Sequence, residues 1–309
     1  MTFITSLLNA LPGACAQGLI WGIMAIGVYI TFRILDVADL TVDGSLAVGG
    51  AVCVMLMQQG MNGWLAIGCA FAAGLLAGLV TGLLHTKCGI PAILAGILTQ
   101  LSLYSVNLRI MGGKANAPIN VLNFDLLVSQ RYVRTWNADN PLPLLFGAVV
   151  VVVAILYWFF GTEWGCGIRA TGANGAMARA QGIHTEWNVI WGLMLSNGLV
   201  AFSGGLLAQY QGAADVNMGR GAIVIGLAAV IISEVLLGKV FRNFGLKLFG
   251  VAIGAVVYYV VIQIVLQMGL ETNDLKLLTA AVVALFLALP YWKGKLAAKN
   301  GRKGVSKRA

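Results

Sequence analysis

Charge is scarce in this chain. Asp, Glu, Lys and Arg together make up 10% of its 309 residues, hydrophobic residues make up 59%, and the mean hydropathy is +0.87. A water-soluble domain needs a polar exterior that such a composition cannot supply, so lipid is the solvent for most of the surface. Histidine is scarcer still: His85 and His184 stand far apart with no HExxH pattern, and isolated imidazoles without companions do not make a metal site. The five cysteines, Cys15, Cys53, Cys69, Cys88 and Cys166, show no CxxC spacing and fall mostly in or beside apolar runs, which reads as buried packing. No GxxxxGK[ST] loop occurs, because the Gly-Lys pairs at Lys114, Lys239 and Lys295 are followed by Ala, Val and Leu. That removes one means of cradling ATP phosphates. Lys and Arg are absent before Arg33, and the first apolar run has the length of a span rather than of a cleavable signal peptide. No nucleophile or metal set declares itself, which makes an enzyme the weakest of the functional classes.

What the chain has is apolar length. A helix crosses the hydrocarbon with about 20 apolar residues, since its backbone must satisfy its own hydrogen bonds there. Nine stretches reach or approach that length: 13–32, 44–60, 63–84, 88–108, 142–161, 188–210, 221–238, 248–270 and 277–292. The expected fold is an all-α integral membrane protein, a polytopic helical bundle of about 8–10 spans over residues 1–292, with a basic tail at 293–309.

The tail carries seven Lys or Arg and no acid. A basic tail also suits nucleic acid, but beside nine apolar stretches the positive-inside rule accounts for it, and no nucleic-acid partner is expected. With the tail in the cytoplasm and nine spans counted back from it, 14 basic residues fall inside and six, Arg220 among them, on or near the outside. The N-terminus then lies outside, and the connection 162–187 faces the cytoplasm.

Polar groups gather at a few places. "RILDVADLTVDGSLAVGG" sets Asp36, Asp39 and Asp43 at spacings of three and four. On one continuous helix they would share a face and repel. A broken or re-entrant helix relieves the crowding, with Thr41 and Ser45 beside the break; Asp43 or Ser45 could equally act as N-cap of the span that follows. "GAADVNMGRGAIVIGLAA" repeats the theme of an Asp and glycines before a small-residue helix, and the span count puts it on the opposite side of the membrane, as an inverted repeat would. Within the spans, Gln100, Tyr104, Asn107 and Asn197 serve either as interhelical glue or as the lining of a pathway. Glu234 is the carboxylate set deepest in an apolar run, where it would pair with Lys239 or Arg242 or respond to protonation. Gly74, Gly78 and Gly82, and again Gly250 and Gly254, form GxxxG stripes for close helix packing.

In "RATGANGAMARAQGIHTEW", Asn174 can N-cap a short helix through Ala176, Met177, Ala178, Arg179, Ala180 and Gln181, and Gly182 followed by Ile183 reads as a left-handed C-cap. Barely two turns long, such a helix does not persist alone. The membrane surface or a groove on a cytoplasmic partner must hold it.

"RATGANGAMARAQGI", followed by a span containing "SNGLVAFSGGLLAQYQG", resembles the cytoplasmic coupling-helix region of permease subunits in the branched-chain amino acid and ribose class of ABC importers. "GLIWGIMAIGVYITFRILDVADLTVDGSLAVGGA" is similar to the first spans of that class, and "ADVNMGRGAIVIGLAAVIISEVLLG" resembles its subgroup of tryptophan and tyrosine importers. One departure is Ser233-Glu234, where the class tends to have paired glycines. The resemblance implies a type II importer fold in which two permease copies surround a pathway and an extracytoplasmic binding protein or lipoprotein delivers the solute. It implies separate ATPase subunits, which bind ATP and Mg and dock on a coupling helix over Asn174, Gly175, Ala176, Met177, Ala178, Arg179, Ala180, Gln181 and Gly182. This chain itself would hold no cofactor and would lie in the bacterial inner or plasma membrane.

Overall fold

The computed structural model describes residues 3–119, 124, 126–133, 140–238, 240, 241 and 243–267, with single positions beyond at 277, 280, 281, 283, 284 and 288. Among the described residues there are ten α-helices: α1 Phe3–Tyr29, α2 Val42–Gln58, α3 Gly63–Thr86, α4 Ala92–Ile110, α5 Pro141–Phe159, α6 Glu163–Ala173, α7 Gly175–Ala180, α8 Thr185–Gln211, α9 Ala222–Leu237 and α10 Phe244–Gln267. Six apolar segments, including α3, α4, α5, α8 and α10, are long enough to span a bilayer, and α2 and α9 are shorter apolar helices. The protein is a polytopic all-α membrane protein. Eight of the nine apolar stretches are helical; the ninth, 277–292, lies mostly outside the described residues, as does the tail.

Two faces of the bundle can be told apart. On one, β1 Asn116–Pro118 pairs antiparallel with β2 Ala213–Asp215, and Gln58 at the end of α2 donates to the Pro118 carbonyl. On the other, Lys87 after α3 meets Glu186 at the start of α8 at 2.6 Å, beside α6 and α7. These are the hairpin face and the loop face below.

α8 is the axis of the bundle. Gly74 and Gly78 of α3 lie directly on the α8 backbone at Asn197 and Leu193, and Gly49 of α2 lies on Ala201, so a side chain at any of the three would collide with main chain. The GxxxG stripes therefore pack within the subunit. Gly254 faces the Ala229 carbonyl of α9 and Gly250 faces Ser233, so a glycine on α10 makes room for the Ser233 that departs from the class pattern. Ser196 and Ser203 donate to the carbonyls of Gly27 and Ile20, tying α8 to α1 as polar glue.

α1 ends in a π-helical turn, Ile30–Ile34, after which the chain loses helical form until α2 begins at Val42. Asp36 in this break holds a positive φ of 56°. The expected helix break is thus where the three aspartates crowd. The cysteine expectation fails in part: Cys53 is buried, but Cys69, on an outer face of α3, and Cys88 and Cys166, at the loop face, are exposed.

Candidate translocation site

Asp39 enters the bundle from the break and is only 3% exposed. Its Oδ1 accepts the Thr41 N–H at 2.8 Å and its Oδ2 accepts the Asn197 side-chain amide at 2.6 Å. Ser45 donates to Asn197 Oδ1 at 2.6 Å. From Thr41 the polar line runs on through hydroxyls, 2.8 Å to Thr81 and 2.9 Å from there to Thr99. Asn197 lies close to the midpoint of the 27-residue α8, so this network sits at mid-bilayer depth. A carboxylate there is costly unless donors surround it, and the amide and N–H supply that compensation. Asp39, Thr41, Ser45 and Asn197 are thereby one cluster.

Asp43 is a helix cap, but not of the helix that follows it in sequence. It lies in the first turn of α2, yet its carboxylate caps α9, accepting the Gly221 N–H at 2.9 Å and the Ile223 N–H at 3.0 Å. Ser45 caps nothing, because its hydroxyl is committed to Asn197. The segments 33–50 and 212–229 enter from opposite faces, Arg33 at the loop face and β2 at the hairpin face, as the span count has them, but both run inward before their helices begin. Their helix starts touch at mid-depth, and the helices then diverge, α2 toward the hairpin face and α9 toward the loop face. Span counting did not show that they meet, because β2 and the turn after it carry the chain back into the bundle before α9 begins.

Beside this junction is a cavity of about 280 Å³ lined by Asp43, Gln100, Tyr104, Asn107, Asn217 and Arg220, among others. Asn107 is 1% exposed and its Oδ1 has no hydrogen-bond partner. Among the described residues, no carboxylate lies within ion-pair range of Arg220. The cavity thus offers a guanidinium, a buried carbonyl oxygen lacking a donor, and an aromatic ring on Tyr104.

Four of the sequence-selected polar residues, Asp43, Gln100, Tyr104 and Asn107, meet at this cavity. Asp36 joins neither cluster; it is exposed near the loop face. Arg220 was missed, since charge counting placed it on the outer flank, whereas it faces the cavity beside Gln100, near the middle of α4. Thr81 and Thr99 were also missed, because a lone threonine in an apolar run carries no polarity signal. Glu234 is not deep: its side chain is 43% exposed near the loop-face end of α9, where Oε1 pairs with Arg33 Nε at 2.8 Å. Lys239 and Arg242, its expected partners, lie outside the described residues.

At the loop face, α7 takes the expected caps. Asn174 Oδ1 accepts the Met177 N–H at 3.0 Å, Gly182 has φ of 79°, and the Ile183 N–H returns to the Ala178 carbonyl. Ala176, Met177, Arg179 and Ala180 are exposed and Ala178 is buried. The helix α6 before it was not expected, although Thr162 capping Gly165 ahead of Glu163 is a sequence-visible start. α6 presses on the end of the π turn: Gly172 lies against the Ile34 carbonyl, and the side chains of Leu35 and of Ile168 on α6 both lie at Gly192 of α8.

Relatives fit this architecture. No solved structure matches the chain. It is 38% identical to a tyrosine transport system permease protein of Clostridioides difficile, over 91% of each chain. It is 27% identical to a ribose import permease protein of Escherichia coli, over 79% of this chain and 80% of that one. A fructose import permease protein of Bifidobacterium longum is 26% identical over 81% of this chain and 69% of its own. The model of the branched-chain amino acid transport system permease component matches residues 12–289. With that match over most of its length, the chain belongs to this family of ABC-type import permeases.

Proposed function

We propose that the chain carries an aromatic amino acid such as tyrosine or tryptophan inward, by alternating access driven by separate ATPase subunits. The observation that carries the amino-acid reading is the cavity beside Asp43, which runs from the middle of α4 toward the hairpin face. Arg220 there has no carboxylate partner among the described residues, Asn107 Oδ1 lacks a donor, and the Tyr104 ring stands beside them. A free amino acid brings a carboxylate for the first and an ammonium for the second; a sugar gives the guanidinium no charge to meet. The tyrosine permease relative supports the same class.

For coupling, exposed Met177, Arg179 and Ala180 offer an ATPase a short capped helix, and α6 carries its displacement to Ile34 and Leu35, directly before the break that holds Asp39. ATP and Mg belong to that partner. A second permease copy would close the pathway along α4, whose Leu98, Leu101 and Tyr104 are exposed. A binding protein or lipoprotein would deliver the solute on the hairpin face, with the loop face and tail in the cytoplasm as the charge count has them.

The test is a solute panel with the permease co-reconstituted with its ATPase and binding protein. Tyrosine and tryptophan should be taken up and ribose and fructose should not, and Arg220→Gln should slow amino-acid uptake by about tenfold or more, the loss of a charged hydrogen bond. Sugar uptake, or an Arg220→Gln transporter with normal rates, counts against the reading.

A further inference from the structure

A second cavity, separate from the one beside Asp43, lies at the loop face between the end of α1, α6 and the start of α10. It measures about 610 Å³ and gathers Arg33, Arg169 and Lys247 with Tyr29 and Phe244. Arg33 spends its Nε on Glu234, which leaves its terminal guanidinium nitrogens for another acceptor. Arg169 stands 5.1 Å over the Phe244 ring, a contact that orients its guanidinium without neutralising it. Among the described residues no carboxylate pairs with Arg169 or Lys247. Three exposed cations therefore face one acid, which leaves a net positive pocket that attracts an anion.

The anion's chemistry follows from the site's depth and from what adjoins it. Tyr29 and Arg33 belong to the last turns of a span and Phe244 and Lys247 to the first turn of α10, so the cations sit at headgroup level. Tyr157 and Trp158 at the end of α5 are 58% and 71% exposed alongside, as aromatic side chains at a membrane boundary are. A smaller cavity shares Arg169 and Phe244 with the basic pocket, and shares Tyr157 and Asn243 with an apolar groove between α5 and α10 that is also lined by Val150, Val153 and Phe249. Two guanidiniums and an ammonium suited to a phosphate, with an apolar groove nearby suited to an acyl chain, match the chemistry of a phospholipid. We propose that this is a binding site for an anionic phospholipid, with its phosphate on Arg33, Arg169 and Lys247 and one chain in the α5–α10 groove.

Native mass spectrometry of the full-length purified permease tests this with added phosphatidylglycerol, phosphatidylcholine or inorganic phosphate. Wild type should retain phosphatidylglycerol over phosphatidylcholine by about tenfold or more, the effect of two basic side chains at a lipid surface. Arg169→Gln/Lys247→Gln should bring that preference close to unity, while Lys114→Gln near the hairpin face leaves it intact. Should the double variant fold poorly, Val153→Trp, which fills the groove at a lipid-facing position, should still displace the lipid. Equal retention of the two lipids, an unchanged double variant, or displacement of phosphatidylglycerol by millimolar inorganic phosphate would overturn the proposal.

Discussion

Asp43, in the first turn of α2, caps α9 by accepting the Gly221 N–H at 2.9 Å, so the starts of two short helices running in opposite directions are joined by one carboxylate. Neither helix has a side-chain N-cap of its own at its boundary residue. Asp43→Ala should cost roughly 1 to 2 kcal/mol, the usual worth of a cap, read as a lower unfolding temperature in detergent. Asp43→Asn keeps one acceptor oxygen and should fold, with uptake reduced. Normal uptake by the Asn variant would leave Asp43 a purely structural cap.

The Asp39–Asn197 pair should show strong non-additivity. Asn197→Leu removes a donor from a buried carboxylate and should cost about 3 kcal/mol or more; Asp39→Leu/Asn197→Leu removes the charge as well and should recover part of that loss. A double-mutant cycle on detergent unfolding checks it. Additive losses would mean that the 2.6 Å contact carries little energy.

At the break, legibility was uneven. Crowding of Asp36, Asp39 and Asp43 pointed correctly to a break, and Asn174 and Gly182 marked the ends of α7 within about a residue. Which helix Asp43 caps was not legible, because its partners are 178 and 180 residues away and are backbone groups that any sequence provides. The cavity was half legible. Polar residues within apolar runs announce themselves, whereas Arg220 beside an apolar run looks like an interface charge until β2 is seen turning the chain inward.

Gly172 should separate coupling from folding. A Cβ there meets the Ile34 carbonyl, so Gly172→Val should push α6 off the π turn. ATP hydrolysis by the assembled transporter should persist while uptake falls by about tenfold or more, the scale of one misplaced contact. Parallel loss of both would point to failed assembly instead.

The Arg33–Glu234 pair is about half exposed on each side, so Glu234→Gln should cost no more than about 1 kcal/mol in stability. Its effect should appear in transport, where the pair ties the end of α1 to the end of α9. Arg33→Glu/Glu234→Arg should restore part of the uptake lost in either single reversal, checked by initial rates.

The most direct measurement is the initial rate of radiolabelled tyrosine uptake into liposomes holding the permease, its ATPase and its binding protein. The account predicts uptake with ATP on the ATPase side, none with ADP, and none with Arg179→Glu or Ala180→Trp on the exposed face of α7. Tyrosine accumulation driven by an ion gradient through the permease alone, with no ATPase present, would contradict it and make Asp36, Asp39, Asp43 or Glu234 the coupling carboxylate of a secondary transporter.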